Sequence, residues 1–315
     1  MLAVRKSTTD RMEPVILTTE APPFAAQRPT LLSGLVGRDI LASRSPWLHE
    51  READAQGIRL VYSLYDFAAR GWDERDLPRL LDAAQLIGVA GLNVTHPYKQ
   101  AVIAHLDGLS DGARRIGAVN TVQFIDGKRI GHNTDVTGFS ESFRHGLPDA
   151  TLGSVVQMGA GGAGFATAHS LMDLGVERLS IFDTDGDRRD ALIDKLRRDF
   201  GEGRVVGGED LESALARADG VVNATPVGMV KYPGTSIPVD LLQPQQWVAD
   251  IVYFPLETAL LREAKRRGCR TLDGSGMVVF QAAAAFDIFT GLTADRDRML
   301  KSFVDFVSTP AVQAA

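Results

Sequence analysis

From Leu31 onward, short apolar runs alternate with segments whose apolar positions recur every three or four residues. That alternation is the pattern of a βαβ chain building a parallel sheet. "LLSGLVG" reads as the first strand. "SPWLHEREADAQG" reads as the helix after it, with Ser45 at the N-cap and Pro46 in the first helical position, where its missing N–H removes no bond. "LVYSLYDF" is the second strand, followed by a helix near Asp73 to Leu86 and a short strand in "GLNVT". That strand is predicted to run into a helix whose first turn carries Pro97 and Lys99. The rhythm then breaks. In "AVNTVQFIDGKRIGHNTD" two β-prone runs flank Asp126-Gly127, a turn-forming pair that predicts a hairpin. "VTGFSESFRHG" is the linking helix into a second α/β unit.

This second unit carries the most legible motif. "SVVQMGAGGAGFATAHSLMDLGVERLSIFD" reads strand, glycine turn, helix, strand, with Gly159, Gly161 and Gly164 at G-x-G-x-x-G spacing. Glycines there make a tight turn, let a pyrophosphate approach the backbone and let the helix pack on the sheet, while the helix N-terminus stabilises phosphate charge. Asp183 closes the second strand, where an acceptor for a ribose hydroxyl belongs. A dinucleotide site is expected. Asp183, Asp185 and Asp187 would surround an added 2′-phosphate of about two negative charges, so NAD is expected over NADP. Arg188 and Arg189 allow the opposite reading, since an arginine here can hold that phosphate; both are read instead as opening a solvated helix.

Composition narrows the remaining choices. The 315 residues, 44% hydrophobic and 23% charged, suffice for two cores of ordinary size. A net charge of −6 gives no general attraction to nucleic acid or an anionic membrane, so an anionic ligand must be drawn by local groups. The single cysteine, Cys269, and six scattered histidines lack disulfide or metal-site spacing. No metal and a reducing, cytoplasmic location are expected. Residues 1–30 mix charge, Thr and Pro, and their longest apolar run, Val15 to Leu17, is far short of a signal-peptide core. They are expected to form a loosely ordered leader. No run of about eighteen apolar residues predicts a membrane helix.

The polar residues then suggest a substrate. "SRSP", "NVT", "VNT" and "NTD" place hydroxyl and amide side chains at strand ends and helix starts. A polyhydroxy ligand needs such converging groups, a cation or dipole for any carboxylate, and a base for the alcohol proton. Each residue alone has a plainer use: Ser45 as a cap, Asn93 and Asn120 as strand-end turn residues, Gln281 as a solvent-facing amide, Lys99 as a solvated lysine. Their joint occurrence favours the site. A positive helix end and burial under a second domain would both ease loss of the Lys99 proton.

"SRSP" (Ser43 to Pro46), "NVTHPYK" (Asn93 to Lys99), "GAVNT", "GHNTDVTGF", "VVNATPVGM", "DIVYFPLET" and "GMVVFQAAAAF" together resemble the shikimate dehydrogenase family, most closely its NAD-preferring quinate/shikimate dehydrogenase branch. The resemblance runs in order from Leu31 to about Phe306. It implies a two-domain α/β fold. An open α/β catalytic domain of residues 31–135 and 275–310 would bind the substrate, and a Rossmann-type doubly wound dinucleotide-binding domain would span 136–274, the chain returning after "LDGSGM". Lys99 and Asp135 match the catalytic pair and would titrate as one unit. Ser43, Ser45, Asn93, Thr95, Asn120, Thr134 and Gln281 match substrate-binding positions, and Tyr253 a tyrosine near the closed cleft. Gly159, Gly161, Gly162, Ala163, Gly164, Asp183, Arg188, Asn223, Thr225 and Gly274 match positions facing the cofactor. NADP-using relatives carry Asn-Arg-Thr and a further basic residue where this chain has Asp183, Thr184, Asp185 and Arg188, which agrees with the charge argument for NAD. The implied reaction is reversible oxidation of the 3-hydroxyl of shikimate or quinate, cyclic polyhydroxy carboxylates, by a monomer or homodimer. Two rivals remain: a same-fold dehydrogenase of an aminoshikimate-like or other cyclitol acid, and a ligand sensor without turnover. Intact Lys99 and Asp135 argue against the sensor.

Overall fold

The predicted strands form, but on two sheets of different kinds. The structure, a computed structural model, describes residues 28–307. Residues 1–27 of the expected leader and 308–310 of the expected catalytic domain lie outside the described residues.

The first half comprises β1 (Thr30–Gly37), α1 (Ser45–Ala55), β2 (Arg59–Asp66), α2 (Leu77–Leu86), β3 (Gly91–Val94), β4 (Gly108–Leu109), α3 (Asp111–Ile116), β5 (Thr121–Ile125) and β6 (Lys128–His132). Its sheet has the order β2-β1-β3-β5-β6-β4. β1 runs parallel to β2 and β3, whereas β5 is antiparallel to both β3 and β6. The hairpin turns at Asp126 (φ 50°) and Gly127 (φ 73°), the left-handed pair that a tight β-turn of this hand requires.

The second half follows α4 (Asp135–Gly146) and comprises β7 (Ser154–Met158), α5 (Gly162–Asp173), β8 (Arg178–Phe182), α6 (Gly186–Phe200), β9 (Val205–Gly207), α7 (Leu211–Ala216), β10 (Gly220–Asn223), β11 (Trp247–Asp250), α8 (Ala259–Arg266) and β12 (Arg270–Leu272). All its strands are parallel, in the order β12-β11-β10-β7-β8-β9. Winding reverses between β7 and β10, the switch point outside whose strand ends a doubly wound sheet binds its ligand. α9 (Ser275–Thr290) and α10 (Arg296–Val307) then return to the first sheet.

α4 and α9 cross between the two halves at glycines. A Cβ on Gly138 would lie 2.7 Å from Met277 O and 2.8 Å from Gln281 N, and one on Gly276 would lie 2.2 Å from Ser142 Oγ. Only a bare backbone allows that approach. α10 is fastened to α1 through Glu52, a fully buried carboxylate that accepts from Arg298 Nη2 at 2.6 Å, Arg298 Nε at 2.9 Å and the Asp295 N–H at 2.9 Å. Among the described residues no helix is long and apolar enough to cross a membrane.

Two local expectations are corrected. Ser45 is not the N-cap of α1: Arg44 is, without a side-chain bond, and Pro46 follows in the first turn. Nor does β3 run into a helix carrying Lys99. The chain makes a turn, Tyr98 N–H to Thr95 O at 2.9 Å, then a short 3₁₀ run over Ala101–His105. The cause is tertiary. Tyr98 is buried against the Phe67 ring at 4.6 Å, and the Lys99 carbonyl accepts the Val119 N–H at 2.8 Å instead of continuing a helix. Lys99 therefore sits in a turn and at no positive helix end.

Candidate active site

The turn that replaces the predicted helix delivers Lys99 to the start of α4. Lys99 Nζ lies 2.6 Å from Asp135 Oδ2, with the two side chains one-third and one-sixth exposed. Asp135 is the first residue of α4, not its cap; Thr134 holds the cap position. Asn120 Nδ2 donates to the other Asp135 oxygen at 2.9 Å and to Thr134 Oγ1 at 2.9 Å, and Asn120 Oδ1 accepts the Thr134 N–H at 2.8 Å. Asn120 is thus no strand-end turn residue. It is buried and ties the end of the hairpin to the start of α4.

Of the other expected polar residues, Asn93, Thr134 and Gln281 are joined to this network by hydrogen bonds. Asn93, buried on β3, donates to Thr121 Oγ1 at 3.0 Å and accepts from the Tyr62 hydroxyl at 2.7 Å. Ser43 Oγ accepts the Ser45 N–H at 3.2 Å and lies 3.1 Å from Ser45 Oγ, so the two hydroxyls stand together at the head of α1. Gln281 is half-buried on α9, with Oε1 3.5 Å from Thr134 Oγ1. Thr95 sits at the mouth of the turn, its N–H bonded to Val36 O at 2.9 Å. Tyr253 stands apart from the group: it is 47% exposed, its ring centroid 6.5 Å from that of Phe303, and it makes no hydrogen bond to the Lys99 cluster.

The glycine turn lies at the switch point of the second sheet. Gly159 has φ 99°, and a Cβ there would meet Ala224 O at 2.7 Å; a Cβ on Gly164 would meet Gly159 O at 2.3 Å. Around Gly161 and Gly162, by contrast, there is open space, and Gly161 caps α5 with no side-chain acceptor. The first N–H groups of α5, including those of Gly162 and Ala163, therefore face a cradle free to take a phosphate. Gln157, wholly buried on β7, shapes this cradle by donating to Gly159 O and Gly164 O, each at 2.8 Å. Sequence reasoning missed it. A lone amide inside the apolar run "SVVQM" was the available signal.

Asp183 accepts the Ala160 N–H at 2.7 Å, the Asp185 N–H at 2.8 Å and Arg188 Nη2 at 2.8 Å. Burial works against its charged form, but Arg188 and the two backbone donors outweigh it and hold the carboxyl below the usual range. Arg188 is thus not merely a solvated helix residue as expected; Arg189 pairs with Asp190 at 2.8 Å on the outer face. Asp185 caps α6 by accepting the Arg188 N–H. Asn223 and Thr225 turn inward: Asn223 Nδ2 donates to Asp250 Oδ1 and Val227 O, both at 2.9 Å, and Thr225 Oγ1 donates to Asn223 Oδ1 at 2.7 Å. Burial pushes the Asp250 carboxyl up despite Thr258, the Val252 N–H and Asn223 beside it. These contacts stiffen the loop after β10. Gly274 passes so close to the end of β11 that a Cβ would sit 2.3 Å from Ile251 O.

Known proteins share this fold. Residues 35–122 match the model of the shikimate dehydrogenase substrate binding domain, and residues 274–302 that of the shikimate 5′-dehydrogenase C-terminal domain. A shikimate dehydrogenase (NADP(+)) of Streptomyces avermitilis is 51% identical over 284 residues, covering 90% of this chain and 98% of the relative. A quinate/shikimate dehydrogenase (NAD(+)) of Corynebacterium efficiens is 50% identical over 278 residues, covering 87% and 98%. Among solved structures, quinate dehydrogenase from Corynebacterium glutamicum in complex with NAD aligns with a TM-score of 0.84 at 47% identity, over 88% of this chain and 100% of that one. With hydrogen-bonded polar side chains clustered around Lys99 and Asp135, a glycine cradle after β7, and relatives at half identity over nearly their whole length, the chain belongs to the shikimate dehydrogenase family.

Proposed function

We propose that this chain is an NAD-preferring dehydrogenase of shikimate, quinate or both, oxidising the 3-hydroxyl reversibly to the ketone. The observation that carries the reading is the 2.6 Å contact of Lys99 Nζ with Asp135 Oδ2, set among Asn120, Thr134 and Gln281. In the oxidative direction Lys99 takes the alcohol proton, while Asp135 holds the amine in place and shares that proton. Bound NAD supplies the hydride acceptor. Asn120 fixes the carboxylate of Asp135, and Ser43, Ser45, Asn93, Thr95, Thr134 and Gln281 hold the ring hydroxyls and the carboxylate. Residues 31–135 with 275–307 form the substrate domain in this reading, and 136–274 the cofactor domain.

Preference for NAD is supported by Asp183, anchored in the glycine turn with Asp185 and Asp187 behind it. A second reading, use of NADP, is favoured by Arg188, a cation whose side chain is 49% exposed beside Asp183, and by the NADP(+) designation of the Streptomyces avermitilis relative. Steady-state assays of quinate, shikimate and aminoshikimate against NAD and NADP decide. Turnover of quinate or shikimate with higher kcat/KM for NAD is expected. Activity only with aminoshikimate, equal or better use of NADP, or binding without turnover would each overturn the corresponding part.

A further inference from the structure

Asn120 is oriented by a group that allows no alternative. The Thr134 N–H can only donate, and it reaches Asn120 Oδ1 at 2.8 Å; Asn120 Nδ2 is thereby turned to Asp135 Oδ1, which accepts from it at 2.9 Å. That orientation propagates to the neighbours. Thr121 Oγ1 lies 3.0 Å from Asn120 Oδ1, so the threonine hydroxyl must donate there and keep its lone pairs for accepting. Asn93 Nδ2, 3.0 Å away, fills that acceptor, which turns the Asn93 carbonyl toward Tyr62, whose phenol donates to it at 2.7 Å. Thr121 is wholly buried and Tyr62 nearly so.

We propose that Thr121 and Tyr62 are positioning residues, which give a single direction to a hydrogen-bond chain running from Tyr62 through Asn93, Thr121 and Asn120 to the Asp135 carboxylate. Their part in turnover rests on the reading of Asn93, Asn120 and Asp135 as substrate-site residues; the chain itself does not. Both amide hydrogens of Asn93 are engaged, one on Thr121 and one on Asn120 O at 3.4 Å. Asn93 can therefore meet a ligand only as an acceptor, through the second lone pair of its carbonyl. It reads a hydroxyl and rejects a group that has no proton to give.

Thr121→Val keeps the shape and removes the hydroxyl; Thr121→Ser keeps the hydroxyl and removes the methyl. With quinate or shikimate, Thr121→Val should raise the substrate KM about tenfold or more while kcat stays within about threefold and the KM for NAD is unchanged. Thr121→Ser should return the KM to within about threefold of wild type. Tyr62→Phe should raise the KM in the same way, and the double variant should be less impaired than the product of the two. Tyr62→Phe alone carries the test if Thr121→Val fails to fold. A serine variant as poor as the valine variant, or effects that multiply, would reduce both residues to packing. In protein labelled with ¹⁵N-asparagine, the Asn93 side-chain amide, assigned through Asn93→Asp, should exchange slowly in wild type and Thr121→Ser and fast in Thr121→Val. Unchanged exchange in all three overturns the chain. Wild-type protein that turns over neither acid counts against the functional reading alone, and the exchange data then decide the chain.

Discussion

His49 offers a titration whose size follows from its surroundings. On α1 it is 1% exposed, its ring stacked on Tyr62 at 4.6 Å and 14°, with Phe289 at 6.1 Å and Phe286 at 6.4 Å. Its Nδ1 has no hydrogen-bond partner. Burial pushes the imidazole down to about 3 from its ordinary 6.5. As pH falls from 7 to 5 the unfolded chain takes up a proton at this histidine and the native protein does not, so native stability is present above the unfolded value and lost on acidification. Linkage makes that loss RT ln(1 + 10^1.5) less RT ln(1 + 10^−0.5), about 2 kcal/mol between pH 7 and pH 5. Any native value below about 4 gives the same result over this window. Urea unfolding of wild type and His49→Leu at both pH values, followed by tryptophan fluorescence, measures it; Trp47 lies on the same helix. The variant has no imidazole to titrate, so its stability relative to wild type should improve by about 2 kcal/mol on going to pH 5. Curves that stay parallel at the two pH values would show that His49 is protonated, or solvated, in the native protein.

Three further outcomes are expected. Lys99→Ala should lower kcat by about 10² to 10⁴ while NAD still binds; near-normal kcat would move the proton acceptor to Asp135 or a bound water. Asp183→Asn with Thr184→Arg should raise kcat/KM for NADP about tenfold or more, by removing a repulsion and adding a phosphate partner; loss of NAD activity without any gain with NADP would show that this loop does not read the ribose. Gly138→Ala should destabilise by about 1 to 3 kcal/mol and raise the substrate KM, because its methyl meets the backbone of Met277 and the Gln281 Cβ at 2.7–2.8 Å. Wild-type melting and KM in that variant would mean that α9 shifts freely.

Local signals were the readable ones. Apolar periodicity marked the strands and helices, Asp126-Gly127 marked the hairpin, and the glycine spacing marked the cradle after β7, since each depends on neighbours within a few residues. What escaped depends on residues far apart in the chain. The turn carrying Lys99 is set by Tyr98 on Phe67 and by Val119 reaching the Lys99 carbonyl, and no pattern inside "NVTHPYKQ" encodes either contact. The pairing of Arg188 with Asp183 needs the geometry of the β8–α6 loop. Tyr62 and Thr121 look like ordinary β-prone strand residues until β2, β1, β3 and β5 line up in one sheet.

The return of α9 and α10 to the first sheet bears on how the protein is made. The apolar cluster that contains Leu35, Leu48 and Tyr62 is closed by Val279, Phe286 and Phe303, residues translated more than two hundred positions after β1. The cluster around Val155, Leu171 and Leu179 draws on an almost unbroken stretch of chain from Phe139 to Ala249. On the ribosome the unit that emerges second can therefore complete its core first, while β1 and β2 wait with an uncovered apolar face until the C-terminal helices leave the exit tunnel. Chaperone dependence during synthesis should concentrate on that waiting interval, and a stalled chain ending before α9 should hold a finished nucleotide-binding half beside an unfinished one.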